Sequence, residues 1–176
     1  MKLLLAAAAA ACLIGTAAQA EEYAYNWTPA GTLTPTPPAP TFLMLASAGD
    51  LYEIESSRLV LQTTENADIR RFAQMMIEHH TKTTQDAADA AMRAGFTPPT
   101  PMLDASKTAM LASLARFTGG ERDHLYLTQQ MMAHDEALGI VKTYADSGET
   151  PELKTAAQAT IPVIQGHIAA LQRLVR

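Results

Sequence analysis

Four long segments of this chain place apolar residues at steps of three and four, and that spacing restricts the fold more than any other feature. The second segment carries Ile69, Phe72, Ala73, Met76, His80, Thr83, Ala87 and Ala91 on one line. The third carries Leu127, Gln130, His134, Ala137, Val141 and Tyr144, and the last Leu153, Ala157, Ile161, Ile164, Ile168, Leu171 and Val175. In the first, Phe42, Ala46, Gly49, Glu53 and Val60 share a face. Such steps follow the turn of an α-helix, so each segment is a helix with one face to cover. Aromatic residues make up only 6% of the chain, which disfavours a sandwich or barrel. No segment reads as a strand.

The breaks between segments set the connectivity. The spacing predicts helix one from about Thr41 to Thr64 and helix two from about Asn66 to Gly95. Pro98, Pro99 and Pro101 interrupt the chain, and a short amphipathic helix follows from about Leu103 to Phe117, ended by Gly119-Gly120. Helix three is expected from about Glu121 to Ser147. Helix four starts at Thr150-Pro151-Glu152, a cap residue followed by proline at the first helical position, and runs to the end of the chain. Short links make antiparallel pairs of helices one with two and three with four. The long link from Phe96 to Gly119 spans the length of a bundle. The expected fold is all-α: a ferritin-like four-helix bundle with a long crossover between helices two and three that contains a short extra helix.

The N-terminus reads differently. Lys2, the apolar run Leu3 to Ile14 and Ala18-Gln19-Ala20 form the layout of a signal peptide over residues 1–20, cleaved after Ala20. The run is too short to span a bilayer. Residues 21–41, with Pro29, Pro35, Pro37, Pro38 and Pro40, read as a Pro-rich disordered linker before a domain over 42–176. Tyr23, Tyr25 and Trp27 at its start are either a floppy end or a docking segment, on the domain itself or on an envelope partner. The expected location is the periplasm or beyond, with no transmembrane segment in the mature chain. The single cysteine, Cys12, leaves with the signal, so any bound metal must use His, Met or carboxylate. A net charge of −5 without a basic block excludes nucleic-acid binding.

Polar residues interrupt the stripes at Glu53, His80, His134 and His167, one per long helix. At about 1.5 Å of rise per residue, they stand roughly 18, 22, 20 and 15 Å from the same end of the bundle. One carboxylate and three imidazoles at one level suit a mononuclear site for copper, zinc or iron. They equally suit a metal-free buried hydrogen-bond network, and spacing leaves both open. Met76 and Met131 precede His80 and His134 by one turn; they are extra thioether donors or gap-filling core residues, and Gln130 lies on the same stripe as His134. Asp123 reads as a first-turn carboxylate facing the helix dipole, and Tyr126 as a residue whose hydroxyl meets a helix-end group. His79 and His124 read as surface residues, Glu78 as pointing away from His80, and Pro162 as a kink in helix four.

The order Asp50-Leu51-Tyr52-Glu53-Ile54-Glu55, Met76-Ile77-Glu78-His79-His80-Thr81, Asp123-His124-Leu125-Tyr126, His134 and Ile161-Pro162-x4-His167 resembles a secreted bacterial ferritin-like family. That family is domain of unknown function 4142, often labelled predicted outer membrane protein, and the resemblance covers about Phe42 to Val175. Its recurring polar positions match Glu53, His80, Asp123, Tyr126, His134 and His167, while Arg122 and His79 depart from its pattern. The resemblance implies a periplasmic or outer-membrane-associated four-helix domain and supplies no activity. Met76-Ile77-x-His79-His80 also resembles, over a few residues, a second secreted ferritin-like family connected with copper. A di-iron centre is not expected, because Ile77 and Ile164 stand where its Glu-x-x-His motifs need glutamates. Three functions remain: a non-enzymatic metal-binding bundle, a structural or interaction domain with a metal-free His/Glu network, and a metalloenzyme with an open coordination position.

Overall fold

The computed structural model describes residues 26–27 and 33–176. Five helices make an all-α bundle. Helix α1 (Ala39–Leu61) and α2 (Ala67–Arg93) form one antiparallel pair, and α4 (Gly119–Ser147) and α5 (Pro151–Leu174) another. The short α3 (Ala105–Ala115) lies in the crossover between the pairs. Asn66 caps α2 by accepting from the backbone N–H groups of Asp68 and Ile69, and Asp104 caps α3 by accepting from that of Lys107. Helix α5 continues through Pro162. Among the described residues, no helix is long and apolar enough to cross a membrane.

Three sequence expectations need correction. Helix α1 begins at Ala39, so Ala39, Pro40 and Thr41 are helical rather than linker. Proline suits a first turn, whose N–H groups have no helical partner. Gly119 and Gly120 open α4 instead of ending the short helix. Gly119 has φ 55°, a left-handed value that glycine adopts without strain, and its N–H donates to Thr63 Oγ1 at 3.1 Å. Two residue pairs before α1 are extended: β1 (Asn26–Trp27) and β2 (Leu33–Thr34) pair antiparallel, Asn26 opposite Thr34. A two-residue ladder is too short for any periodicity to announce it. The signal segment, its cleavage site at Ala20, Tyr23 and Tyr25 lie outside the described residues.

The crossover returns the chain to the end where α1 finishes. Thr64 donates to Asp123 Oδ2 at 2.9 Å, and the buried Arg122 donates to the carbonyls of Leu59 and Phe117 at 2.8 and 2.6 Å. Helix α3 is pinned along the way. Buried Lys107 meets Asp104 and Glu136 at 3.2 and 3.1 Å. Gln129 donates to the Met110 carbonyl and accepts from the Tyr52 hydroxyl at 2.9 Å.

The apolar interior is in two parts. One cluster, at the start of α1, joins Phe42, Ala91, Ile140, Tyr144, Leu153 and Ile164. The other, at its end, joins Val60, Phe72, Met76, Leu114, Tyr126 and Leu171. The tight α4–α5 connection closes over the first cluster at Gly148. A methyl group there would stand 2.5 Å from the Tyr144 carbonyl oxygen and ring carbons. Gly148→Ala is therefore expected to cost about 1–3 kcal/mol of overpacking strain, read as a lower urea midpoint.

Candidate metal centre

A polar layer separates the two apolar clusters. Each long helix contributes one member: Glu53 from α1, His80 from α2, His134 from α4 and His167 from α5. Their exposures are 1%, 4%, 0% and 2%, so water cannot solvate them and each needs a partner inside the protein. The ring centres of His80, His134 and His167 lie 5.6, 5.3 and 5.2 Å apart pairwise. Two sets of donor atoms, each within 4.8 Å of one another, could hold an ion: His80, His134 and His167, and Asp50, Glu53 and His80. The four sequence-predicted residues thus converge, with Glu53 in a different set from His134 and His167.

The hydrogen bonds turn the rings in a consistent direction. His134 Nδ1 lies 2.8 Å from the Gln130 carbonyl, which can only accept, so this nitrogen carries the proton and Nε2 presents a lone pair. His134 Nε2 faces His167 Nδ1 at 3.1 Å, and His167 Nε2 faces His79 Nδ1 at 2.8 Å. His80 Nδ1 sits between two acids, 2.8 Å from Asp50 Oδ1 and 2.9 Å from Glu53 Oε2. Glu53 Oε1 lies 3.1 Å from His134 Nδ1 but forms no hydrogen bond, because that N–H is directed at the Gln130 carbonyl. Asp50 is held in turn by the hydroxyls of Thr83 and Thr84 at 3.0 and 2.8 Å.

Charge settles on the acid side. Burial alone would raise Glu53, but the charge of His80 and its hydrogen bond outweigh it and hold the carboxyl at about 2. Burial opposes a charge on His80 too, yet Glu53 and Asp50 raise it to about 10. His167 is pushed the other way, to about 3, by burial and then by its histidine neighbours. Burial raises Asp50 despite its bond to His80. In the metal-free protein at neutral pH, His80 therefore carries a proton on Nε2, a buried atom with no hydrogen-bond partner. A cation beside His134 and His167 in place of that proton would give the nitrogen a partner. Each of the three rings already has its other nitrogen held by a carboxylate, a carbonyl or another imidazole, the support that metal-binding histidines receive. The donor set fits a transition-metal ion with nitrogen preference.

The remaining expected residues fall elsewhere or nearby. Met76 is fully buried in the second apolar cluster and Met131 packs against it, which fits gap-filling. Gln130 supports the layer twice, through its carbonyl to His134 and through Nε2 donating to Ser56 at 2.9 Å. Asp123 is not in the first turn of α4, where Glu121 stands; α4 starts earlier than expected, and Asp123 instead ties the α1–α2 turn. The Tyr126 hydroxyl meets the Ser57 side chain at 2.8 Å rather than a helix-end group. Two members were missed. Asp50 precedes Glu53 by three residues, so a helical spacing was there to read. His79 is half-buried rather than on the surface, because α5 packs beside α2 and brings His167 to it.

The family described as Domain of unknown function (DUF4142) matches residues 27–174, a span that contains the whole polar layer. The chain belongs to this family. No curated protein matches the DUF4142 chain. Among solved structures it is similar to the crystal structure of a DUF305 fragment from Deinococcus radiodurans, with 15% identity and a TM-score of 0.67 over 78% of this chain and 97% of that one. At that identity the likeness concerns the helical fold alone.

Proposed function

We propose that this DUF4142 domain is an exported, ferritin-like metal-binding bundle without catalytic activity of its own. It holds one transition-metal ion, copper, zinc or iron, with His80, His134 and His167 as ligands and Glu53 and Asp50 fixing the His80 ring. The reading rests on one observation: His80 Nε2, buried and without a partner, within reach of two other imidazoles. The ion supplies a positive charge that takes the place of the His80 proton. The export signal cleaved after Ala20, the periplasmic or outer-membrane setting and an envelope partner for the linker belong to the same proposal.

A second reading has its own support. The run His79–His167–His134–Gln130 is already hydrogen-bonded end to end, as a metal-free register-fixing network would be. Metal analysis after reconstitution and dialysis separates the two. The metal reading expects one ion per chain. It also expects a melting temperature about 5–10 °C higher at a hundredfold excess over the dissociation constant, both lost in the His80→Ala, His134→Ala double variant. No stoichiometric metal and an unchanged melting curve would leave the network reading.

A further inference from the structure

His167 faces two ways. Its Nδ1 points at His134, inside the layer, and its Nε2 at His79, which is half-buried at the edge of the α2–α5 seam. The His79 and His167 rings are nearly parallel, 25° apart, and meet nitrogen to nitrogen. An ion bound deep in the bundle needs a way in, because none of the three inner histidines is more than 4% exposed.

An ion can approach the layer from two sides. One is a cavity of about 60 Å³ that touches Asp50, Glu53 and His80; the cation Lys107 and the carboxylates Asp86 and Glu136 lie on its lining, and Phe42, Ala137 and Ile140 are among its apolar walls. It has room for a few waters, but most of its wall is apolar. Stripping a divalent ion of its water against such a wall is strongly unfavourable. The other side offers nitrogen donors from its outer edge inward: His79, then His167, then His134. An ion entering on that side would meet an imidazole at each step inward.

We propose that His79 and His167 form a metal-capture position at the outer edge of the layer, which takes a borderline transition-metal ion from solution and passes it to the inner histidines. The proposal rests on the metal-binding reading above. The hydrogen bond between His79 Nδ1 and His167 Nε2 is then the resting state of the position; as the ion arrives, His79 changes tautomer through water, Nδ1 giving up its proton while Nε2 gains one, so that Nδ1 and His167 Nε2 both present lone pairs and both rings stay neutral.

The test is the rate of cobalt(II) loading, followed by visible absorption on rapid mixing with the metal-free protein. His79→Ala should still take up one ion per chain, but about tenfold more slowly. His79→Gln can keep a hydrogen bond to His167 yet is a poor ligand, so it should be slowed as well. Free imidazole in the buffer should restore the rate of His79→Ala. Wild-type rates in both variants overturn the capture position while leaving the inner site standing, and a wild-type rate in His79→Gln alone reduces His79 to a positioning residue and also overturns it. Slowing confined to Ala137→Leu, which narrows the cavity, overturns it in favour of the apolar route. A wild-type protein that takes up no cobalt removes this proposal together with the metal reading.

Discussion

Glu53→Ala is expected to lower the unfolding free energy of the metal-free protein by about 3–5 kcal/mol, because it leaves the buried, charged His80 without its main counter-charge. Glu53 is 1% exposed and stands between His80 and His134, at 2.9 and 3.1 Å. Its removal strands the charge on His80, which Asp50 alone must then balance. For a domain of this size the loss corresponds to a melting temperature about 10 °C lower. Glu53→Gln retains the shape and one acceptor and should lose less. Urea unfolding of chelated protein at neutral pH measures both. A Glu53→Ala loss below about 1 kcal/mol, the range of an exposed ion pair, would mean that water reaches the layer.

The metal-free protein should also show a stability maximum near pH 6.5, the ordinary value of histidine, with a fall on either side. His80 is raised from 6.5 to about 10, so its contribution is complete below pH 6.5 and is lost as the pH climbs towards 10. His167 is lowered from 6.5 to about 3; the folded protein resists a proton that the unfolded chain accepts, and stability drains away as the pH falls from 6.5 towards 3. Glu53, lowered from 4.5 to about 2, adds a further loss below pH 4.5. Asp50 is raised above 3.8, so its contribution grows towards acid and softens that limb. Urea midpoints across the pH range in the presence of a chelator test the profile. A midpoint that is flat between pH 5 and 9 would mean that His80 and His167 titrate as free histidines do.

The helices and the level of the polar layer were legible because both follow from one quantity, the rise and turn of an α-helix. Counting residues from the loops brings Glu53, His80, His134 and His167 to a common height, and the fold keeps that count since the long helices run without interruption past all four. His79 was misread because a helical wheel gives direction around one helix and says nothing of where the neighbours stand. A residue about 100° from the core line faces solvent on an isolated helix and faces α5 in this bundle. Asp123 was misplaced for a local reason: Gly119-Gly120 reads as a terminator, but a left-handed Gly119 can equally lead into the next helix. The tautomers, and with them the nitrogens free for a metal, depend on a carbonyl, that of Gln130, which no side-chain pattern discloses.

The division of the interior into two apolar clusters bears on how the chain finds its alignment. Stripes rich in alanine are nearly self-similar, and four such rods could slide past one another by a turn with little change in hydrocarbon contact. A slip of one turn, about 5.4 Å, would carry the imidazoles off their acids and into greasy surroundings. Misaligned packings are thereby penalised far more than the native one is favoured, which widens the gap between them. A side chain near the midpoint of each rod acts as an alignment mark, and its cost falls on the wrong structures.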